Sequence, residues 1–309
     1  MQKVTVFAAS GRQGLAQVRQ LTRAGYAVRA ISRSADPFYG EHFETTEIMS
    51  ADLDDPASVA RAVADVDAVF LNCPLMTSRQ NIPRVEAVGA AATQAGVARV
   101  ILHVPLWLPD EPVGEPGYDN GRETALTMLR VHPGATVLGG ALFMDNLLTD
   151  WAFPGIVTKG IYRYPHNPEL QCSWISLDDV AKLMIAAMEE PGVIGQYFTI
   201  GGPERLKPPQ VAEILSSVTG HPVRYWPYTP REYGAVLADS FGITDPEAHA
   251  ATTRTFEDFY IFNNFSPHKP FSVDMTSVLQ TLPVKLETFS EWAARQEWRI
   301  TDKPRPPAG

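Results

Sequence analysis

Six short runs of β-branched and apolar residues recur through the first 140 positions, and stretches rich in Ala and Leu, long enough for helices, separate them. The runs are residues 3–8 (KVTVFA), 27–31 (AVRAI), 45–49 (TTEIM), 67–71 (DAVFL), 99–103 (RVILH) and 135–138 (ATVL). Strands joined through whole helices cannot close as hairpins, so each crosses over and lies parallel to a neighbour, with helices covering both faces of the sheet. Nearly unbroken apolar stretches such as VTVF, AVFL and VIL fit strands buried on both sides. The expected fold class is α/β, built on a doubly wound parallel sheet.

Helix limits can be read from the same stretch. Asp55-Pro56 offers an N-cap and a proline at the first helical position, and Asn81-Ile82-Pro83 opens an Ala-rich segment running to Ala95. Gly25 and Gly96 stand where helix C-termini favour a left-handed residue. Beyond residue 150 the prolines at 154, 165, 168, 203, 208, 209, 222, 227 and 230 cut the pattern into short pieces. This predicts a first domain over 1–150 and a smaller α+β domain over 151–309. Cys172–Ile175 reads as a strand, Asp178 and Asp179 as caps of an apolar helix reaching Met188, and Gln196–Ile200 as a further strand. The chain is therefore expected to revisit the first domain at about 171–200, and the proline-rich tail Lys303–Pro307 to be mobile.

Composition narrows the function classes. No apolar run approaches the roughly 20 residues of a membrane span, and the opening Met1–Phe7 has no basic, long-apolar, small-residue leader pattern. Two cysteines, Cys73 and Cys172, are too few for a disulfide framework, which predicts a reducing, cytoplasmic setting. Thirty-five acidic against 26 basic residues give a net charge of −9 with no Lys/Arg cluster, so direct nucleic-acid binding is disfavoured while a protein partner stays open. The seven histidines are scattered and form no H-E-x-x-H pair, so no metal site is expected.

The strongest local signal is Ala8-Ala9-Ser10-Gly11-Arg12-Gln13-Gly14, directly after the first strand and at the start of a helix. Pyrophosphate needs backbone N–H groups at a helix N-terminus with no side chain in the way, the arrangement of a Rossmann dinucleotide site. Gly11 and Gly14 serve close approach, while Ala8 stands where three-glycine loops begin with glycine. The second strand ends Ile31-Ser32-Arg33. A carboxylate there would grip both ribose hydroxyls and repel a 2′-phosphate, whereas Ser32 removes the repulsion and Arg33 offers a permanently charged fork. NADP(H) is therefore favoured over NAD, with Arg12 as a second cation. Asp52-Leu53 is placed at the adenine edge, and Asn72-Cys73-Pro74 near the pyrophosphate and ribose.

These motifs together resemble the NmrA-like family of atypical short-chain dehydrogenases, which includes redox-sensing regulators and is related to isoflavone and lignan reductases. The loop at 8–14 is similar to the family's GATGxxG, and Ala30–Arg33 to its strand-ending arginine. Further stretches that look like the family are Ala51–Ser58 with Val66–Phe70, Phe143–Leu148, and Gly201–Glu204 with Val223–Tyr225, so that the likeness covers about residues 1–285. The resemblance implies an extended Rossmann domain that binds NADP(H) and a small C-terminal domain closing a cleft over the nicotinamide. Where relatives carry Arg-Pro-Gly after the sixth strand this chain has Leu138-Gly139-Gly140-Ala141, and Leu142 and Phe143 follow as the segment whose backbone faces the nicotinamide.

Carbonyl reduction by hydride transfer needs a proton donor and commonly a cation that lowers its pKa. In ordinary short-chain dehydrogenases these are the Tyr and Lys of YxxxK, and the matching place is Tyr118-Asp119-Asn120-Gly121-Arg122. Lysine does not occur between Lys3 and Lys159, so Arg122 is the only cation there. Asn120-x-x-Glu123 reads as a capping box, which starts the helix at Gly121 and leaves Tyr118 outside it. His103 ends the fifth strand, where ligands of open α/β sheets bind, and a neutral imidazole there can donate to a substrate oxygen or relay a proton. Trp107, Phe143, Trp151, Phe153, Trp174, Phe259, Tyr260 and Phe262 are candidates to line an apolar pocket, and each is equally suited to a core. Two functions fit: an NADPH-dependent reductase of a small apolar carbonyl, quinone or aromatic compound, or a non-catalytic NADP(H) sensor acting through a protein partner.

Overall fold

In the computed structural model, which describes residues 2–33, 46–72, 79–140 and 142–300, the strands are β1 (Lys3–Val6), β2 (Ala27–Ser32), β3 (Thr46–Ser50), β4 (Ala68–Asn72), β5 (Arg99–Val104), β6 (Ala135–Gly140), β7 (Leu142–Phe143), β8 (Ile161–Tyr162), β9 (Trp174–Ile175), β10 (Tyr197–Ile200) and β11 (Arg224–Tyr225). Seven of them form one parallel sheet in the order β10-β6-β5-β4-β1-β2-β3. The fold is α/β and of Rossmann type. Strand order reverses between β1 and β4, where Val4 faces Val28 on one side and Ala68 on the other. Such a reversal opens a crevice at the carboxyl ends of the strands. β4 is buried throughout and β5 at every position after Arg99, as their apolar runs require. β1 stops at Val6 instead of continuing to Ala8, because Ala8 turns the chain with φ +55°.

Two helical layers flank this sheet. α1 (Arg12–Arg23) buries Leu15, Ala16, Val18 and Leu21, and after α2 (Pro56–Val63), α3 (Asn81–Gln94) and α4 (Pro116–Val131) form a neighbouring row. Asp55 caps α2 by accepting from the Ala57 N–H at 3.0 Å, with Pro56 first in the helix. Ala24 and Ala95 are the last half-helical residues of α1 and α3, and Gly25 and Gly96 follow them at φ +87° and +73°. In the second part of the chain come α5 (Phe153–Lys159), α6 (Leu177–Glu189), α7 (Pro208–Thr219), α8 (Pro230–Ser240), α9 (Pro246–Phe265), α10 (Thr276–Thr281) and α11 (Phe289–Ala294). α6 packs on α1: Gln17 Nε2 lies 3.1 Å from the Met184 sulfur, Arg19 pairs with Asp178 at 3.1 Å, and the Tyr26 hydroxyl donates to Glu189. Asp178 and Asp179 lie in the first turn of α6, where acidic residues face the positive end of the helix dipole, and Asp179 bonds Lys182 Nζ at 2.7 Å.

One compact unit comprises Met1–Gly140, Leu177–Ile200 and Asp274–Lys285, the other Ala141–Ser176, Gly201–Val273 and Leu286–Gly309. The first unit thus closes at Gly140, ten residues before the boundary expected at 150, and the chain re-enters it at Leu177 instead of 171. The reason is that Trp174–Ile175 pairs with β7 in the second unit and does not join the large sheet. Residues 274–285 make a further return that the sequence did not suggest. The second unit is α+β, with two small parallel pairs, β7 with β9 and β8 with β11. Its centre is aromatic and polar at once. The Tyr164 ring lies 5.4 Å from Trp174, 5.3 Å from Tyr233 and 6.2 Å from Tyr260, and its hydroxyl accepts from Asn146 Nδ2 at 3.2 Å. No described helix is long and apolar enough to cross a membrane. The tail at 303–307 lies outside the described residues.

Candidate functional site

The carboxyl end of β1 leads into Ala8–Gly14, and each residue of this loop has a local reason. Ala8 takes a left-handed conformation, φ +55°, that costs a side chain about 1–2 kcal/mol. The Gly11 N–H donates to the Ala8 carbonyl at 3.0 Å and closes the turn, while the Ala9 N–H donates to the Ile31 carbonyl at 2.8 Å and ties it to β2. Gly11 is the N-cap of α1, extended at φ −76°, ψ 163°. A Cβ on Gly14 would stand 2.3 Å from the Ala8 carbonyl oxygen and 2.5 Å from Ala9 Cα, so only glycine lets the helix sit against the loop. The first N–H groups of a helix have no partner within it and carry the positive end of its dipole, which makes this terminus suited to a phosphate.

At the end of β2 the Ser32 hydroxyl donates to Ser10 Oγ at 2.9 Å, joining strand end and loop directly. Ser32 is buried, Arg33 beyond it is exposed, and among the described residues no carboxylate pairs with Arg33. Arg12 is half-buried at the start of α1, and Ser10 and Gln13 flank the turn with similar exposure. Asp52 is turned to local work: its carboxylate accepts from the Asp54 N–H at 3.0 Å and its own N–H donates to Ser58 Oγ at 3.0 Å, with Leu53 half-buried beside it.

Below the loop lies a buried amide pair. Gln17 Nε2 donates to Asn72 Oδ1 at 2.6 Å, Asn72 Nδ2 donates back to Gln17 Oε1 at 2.9 Å and also reaches the Phe7 carbonyl at 3.0 Å. The Asn72 side chain is thus committed inward, locking β4 and β1 to α1. Cys73 and Pro74, expected beside it, lie outside the described residues. Gln17 was not singled out from the sequence. Its signal was a lone amide among Leu15, Ala16, Val18 and Leu21 on the apolar face of α1.

His103, the last residue but one of β5, lies beside Asn72 on one side and Leu138 on the other. It is fully buried, burial pushes its pKa down to about 3, and the ring is neutral at physiological pH. Its Nδ1 lies 2.8 Å from Gln13 Oε1 in the first turn of α1, so the loop and the end of β5 are in direct contact.

The YxxxK-like segment differs from expectation. Glu115, not Asn120, caps α4: its carboxylate accepts from the Tyr118 N–H at 2.9 Å, and Pro116 takes the first helical position. The helix therefore starts a turn and a half before Gly121, and Tyr118 and Arg122 stand four residues apart within it. Their side chains still part company. Tyr118 is fully buried with its ring edge-on to Trp107 at 5.3 Å, while Arg122 Nε donates to the Asp110 carbonyl at 2.9 Å.

Leu142 and Phe143 form β7 in the second unit, both buried. Of the aromatic pocket candidates, Phe153 stacks on Trp298 at 5.7 Å, Trp151 packs on Tyr164 at 5.5 Å, and Trp174, Phe259 and Tyr260 are buried in the same unit's core. Among the described residues no three His, Cys, Asp or Glu side chains group as metal ligands.

A parallel sheet whose strand order reverses beside a small-residue loop at a helix N-terminus defines the Rossmann class of dinucleotide-binding folds. Within that class the chain belongs to the NmrA-like family, whose model matches residues 1–104. The NAD(P)H azoreductase of Xenophilus azovorans is 30% identical over 229 residues, spanning 72% of this chain and 76% of that protein. Among solved structures, Citrobacter sp. triphenylmethane reductase complexed with NADP(H) superposes with a TM-score of 0.72 at 17% identity, covering 96% of this chain and 99% of that one. The NADPH-dependent quinone oxidoreductase of Escherichia coli complexed with NADPH gives 0.71 at 19% identity over 95% and 99%. Those two likenesses are of fold.

Proposed function

We propose that this protein is an NADP(H)-dependent reductase acting on a small, largely apolar acceptor such as a quinone or an aromatic dye, in the cytoplasm. One observation carries the reading: a helix N-terminus held open by Gly11 and Gly14 and braced by the Ser10–Ser32 bond. The residues fit the cofactor. Ala8–Gly14 would hold the pyrophosphate through backbone N–H groups, and Ser32 with exposed Arg33 would receive a 2′-phosphate that a carboxylate would repel. Arg12 would add a second positive charge near the phosphates, and Asp52 and Leu53 would border the adenine. When bound, the cofactor supplies the hydride.

His103 is the polar side chain of this chain best placed at the carboxyl end of the sheet, and as a neutral imidazole it orients a ligand by hydrogen bonding. Tyr118 is assigned to packing in α4 and Arg122 to holding the Asp110 loop. The division into a nucleotide domain and a smaller substrate domain follows from the same reading, as does the choice of a small molecule as partner. Relatives that reduce an azo compound, a triphenylmethane dye or a quinone support the acceptor class.

The test is a titration of the purified protein with NADPH and NADH by cofactor fluorescence, then NADPH consumption across quinones, azo dyes and triphenylmethane dyes. Preferential NADPH binding with turnover of one of these acceptors is expected. Binding without turnover across the panel would favour a cofactor-sensing protein, and binding of neither nucleotide would overturn both readings.

A further inference from the structure

The contact between Gln13 and His103 joins the first turn of α1 to the end of β5, and it constrains chemistry as well as position. Gln13 Oε1 lies 2.8 Å from His103 Nδ1. A carboxamide oxygen has only lone pairs to offer, and two acceptors do not sit at that distance, so Nδ1 carries the hydrogen and donates it. An imidazole with its single hydrogen on Nδ1 has the lone pair on Nε2. Burial of the ring adds that it does not take up a second proton near neutral pH.

We propose that Gln13 is a positioning residue that fixes His103 as the Nδ1–H tautomer, making the imidazole a hydrogen-bond acceptor at the end of β5 and not a proton donor. A group it can receive carries an O–H or N–H: a ribose hydroxyl, a carboxamide or a protonated acceptor. The consequence for ligand choice rests on the nucleotide-binding reading given above; the tautomer itself does not. Gln13 sits in the turn that would hold the pyrophosphate, so the same side chain couples occupancy of the loop to the state of the imidazole. Free histidine prefers the opposite tautomer, and an acceptor placed at Nδ1 is the ordinary way a protein reverses that preference.

The experiment is a long-range proton–nitrogen correlation spectrum of protein labelled with nitrogen-15 histidine, without nucleotide, with the His103 signal assigned by its loss in His103→Gln. The Nδ1–H pattern is expected in the native protein and in Gln13→Glu, which keeps an oxygen acceptor. In Gln13→Met, which keeps the bulk and removes the acceptor, the pattern should shift to Nε2–H while the backbone amide spectrum stays native. An Nε2–H pattern in the native protein, or an Nδ1–H pattern that survives in Gln13→Met, overturns the proposal. If Gln13→Met unfolds, Gln13→Glu still decides, because its negative charge should also bring His103 into titration at a higher pH, and an unchanged titration would show that residue 13 does not govern the ring. NADP(H) is then added as a separate arm: absence of binding there would overturn the nucleotide reading and leave the tautomer result standing.

Discussion

The Glu115 carboxylate accepts the Tyr118 backbone N–H at 2.9 Å and thereby sets where α4 begins. Glu115 is itself buried, so its removal uncaps the helix with no water to replace it. Glu115→Ala is expected to cost about 1–2 kcal/mol of stability. Glu115→Asp should recover part of it, since aspartate is a favoured cap. Denaturant midpoints for the three proteins would check both.

Gly14 and Ala8 give opposite expectations within one turn. Gly14→Ala sets a Cβ 2.3 Å from a carbonyl oxygen that belongs to the backbone and cannot swing aside, so α1 must shift. A cost at the upper end of the roughly 1–3 kcal/mol of overpacking is expected. Ala8→Gly relieves about 1–2 kcal/mol of left-handed strain and returns about 0.4–1 kcal/mol to unfolded-state entropy, for a net gain of up to about 1.6 kcal/mol. Thermal unfolding of both variants reads these out.

Arg33 should discriminate between the two nucleotides. A charge-assisted bond to phosphate is worth about 1.5–3 kcal/mol, so Arg33→Ala should weaken NADPH roughly 10- to 100-fold and leave NADH nearly unchanged. Raising the salt concentration should narrow the native protein's preference, because Arg33 is exposed. Equal weakening of both nucleotides would count against a 2′-phosphate contact.

Acid should destabilise the fold well above the carboxylate range. His103 and His166 are both buried, which pushes each from its ordinary 6.5 down to about 3. Between those limits the unfolded chain binds more protons than the folded one. The stability is present in full above about pH 6.5 and falls as pH drops toward 3, by up to about 1.4 kcal/mol per pH unit for each histidine. His132 is also lowered by burial and acts in the same direction. Glu47, held low by its bond to Lys3, adds its share only at more acid pH. Urea midpoints between pH 6.5 and 5 should therefore fall steeply, and His166→Phe should flatten that slope by roughly a third to a half.

Periodicity made the sheet legible because a strand buried on both faces reads as a nearly continuous apolar run, as AVFL and VIL do. The loop was legible for a similar reason: few uses besides close approach require small residues between a strand and a helix. Tyr118 was misread because a capping box needs only local letters, whereas the cap in place is a glutamate outside the usual set, helped by Pro116. The Gln17–Asn72 and Gln13–His103 bonds were out of reach, since each joins residues more than fifty positions apart and no local pattern records a long-range hydrogen bond. The aromatic residues announced a cluster, and the density of Tyr164 contacts shows why most belong to a core: each ring is packed on others.

The path of the chain has a consequence for its biosynthesis. It passes from one unit to the other after Gly140, Ser176, Ile200, Val273 and Lys285. A nascent chain that has reached β6 holds six of the seven strands, and the seventh, β10, is made only after the first segment of the other unit. Until then the flank of β6 offers unpaired backbone to any neighbouring polypeptide on the same polysome. A chain that ends between β6 and β10 therefore carries an uncovered sheet edge, so the large sheet is finished only when the chain returns from its first excursion into the other unit.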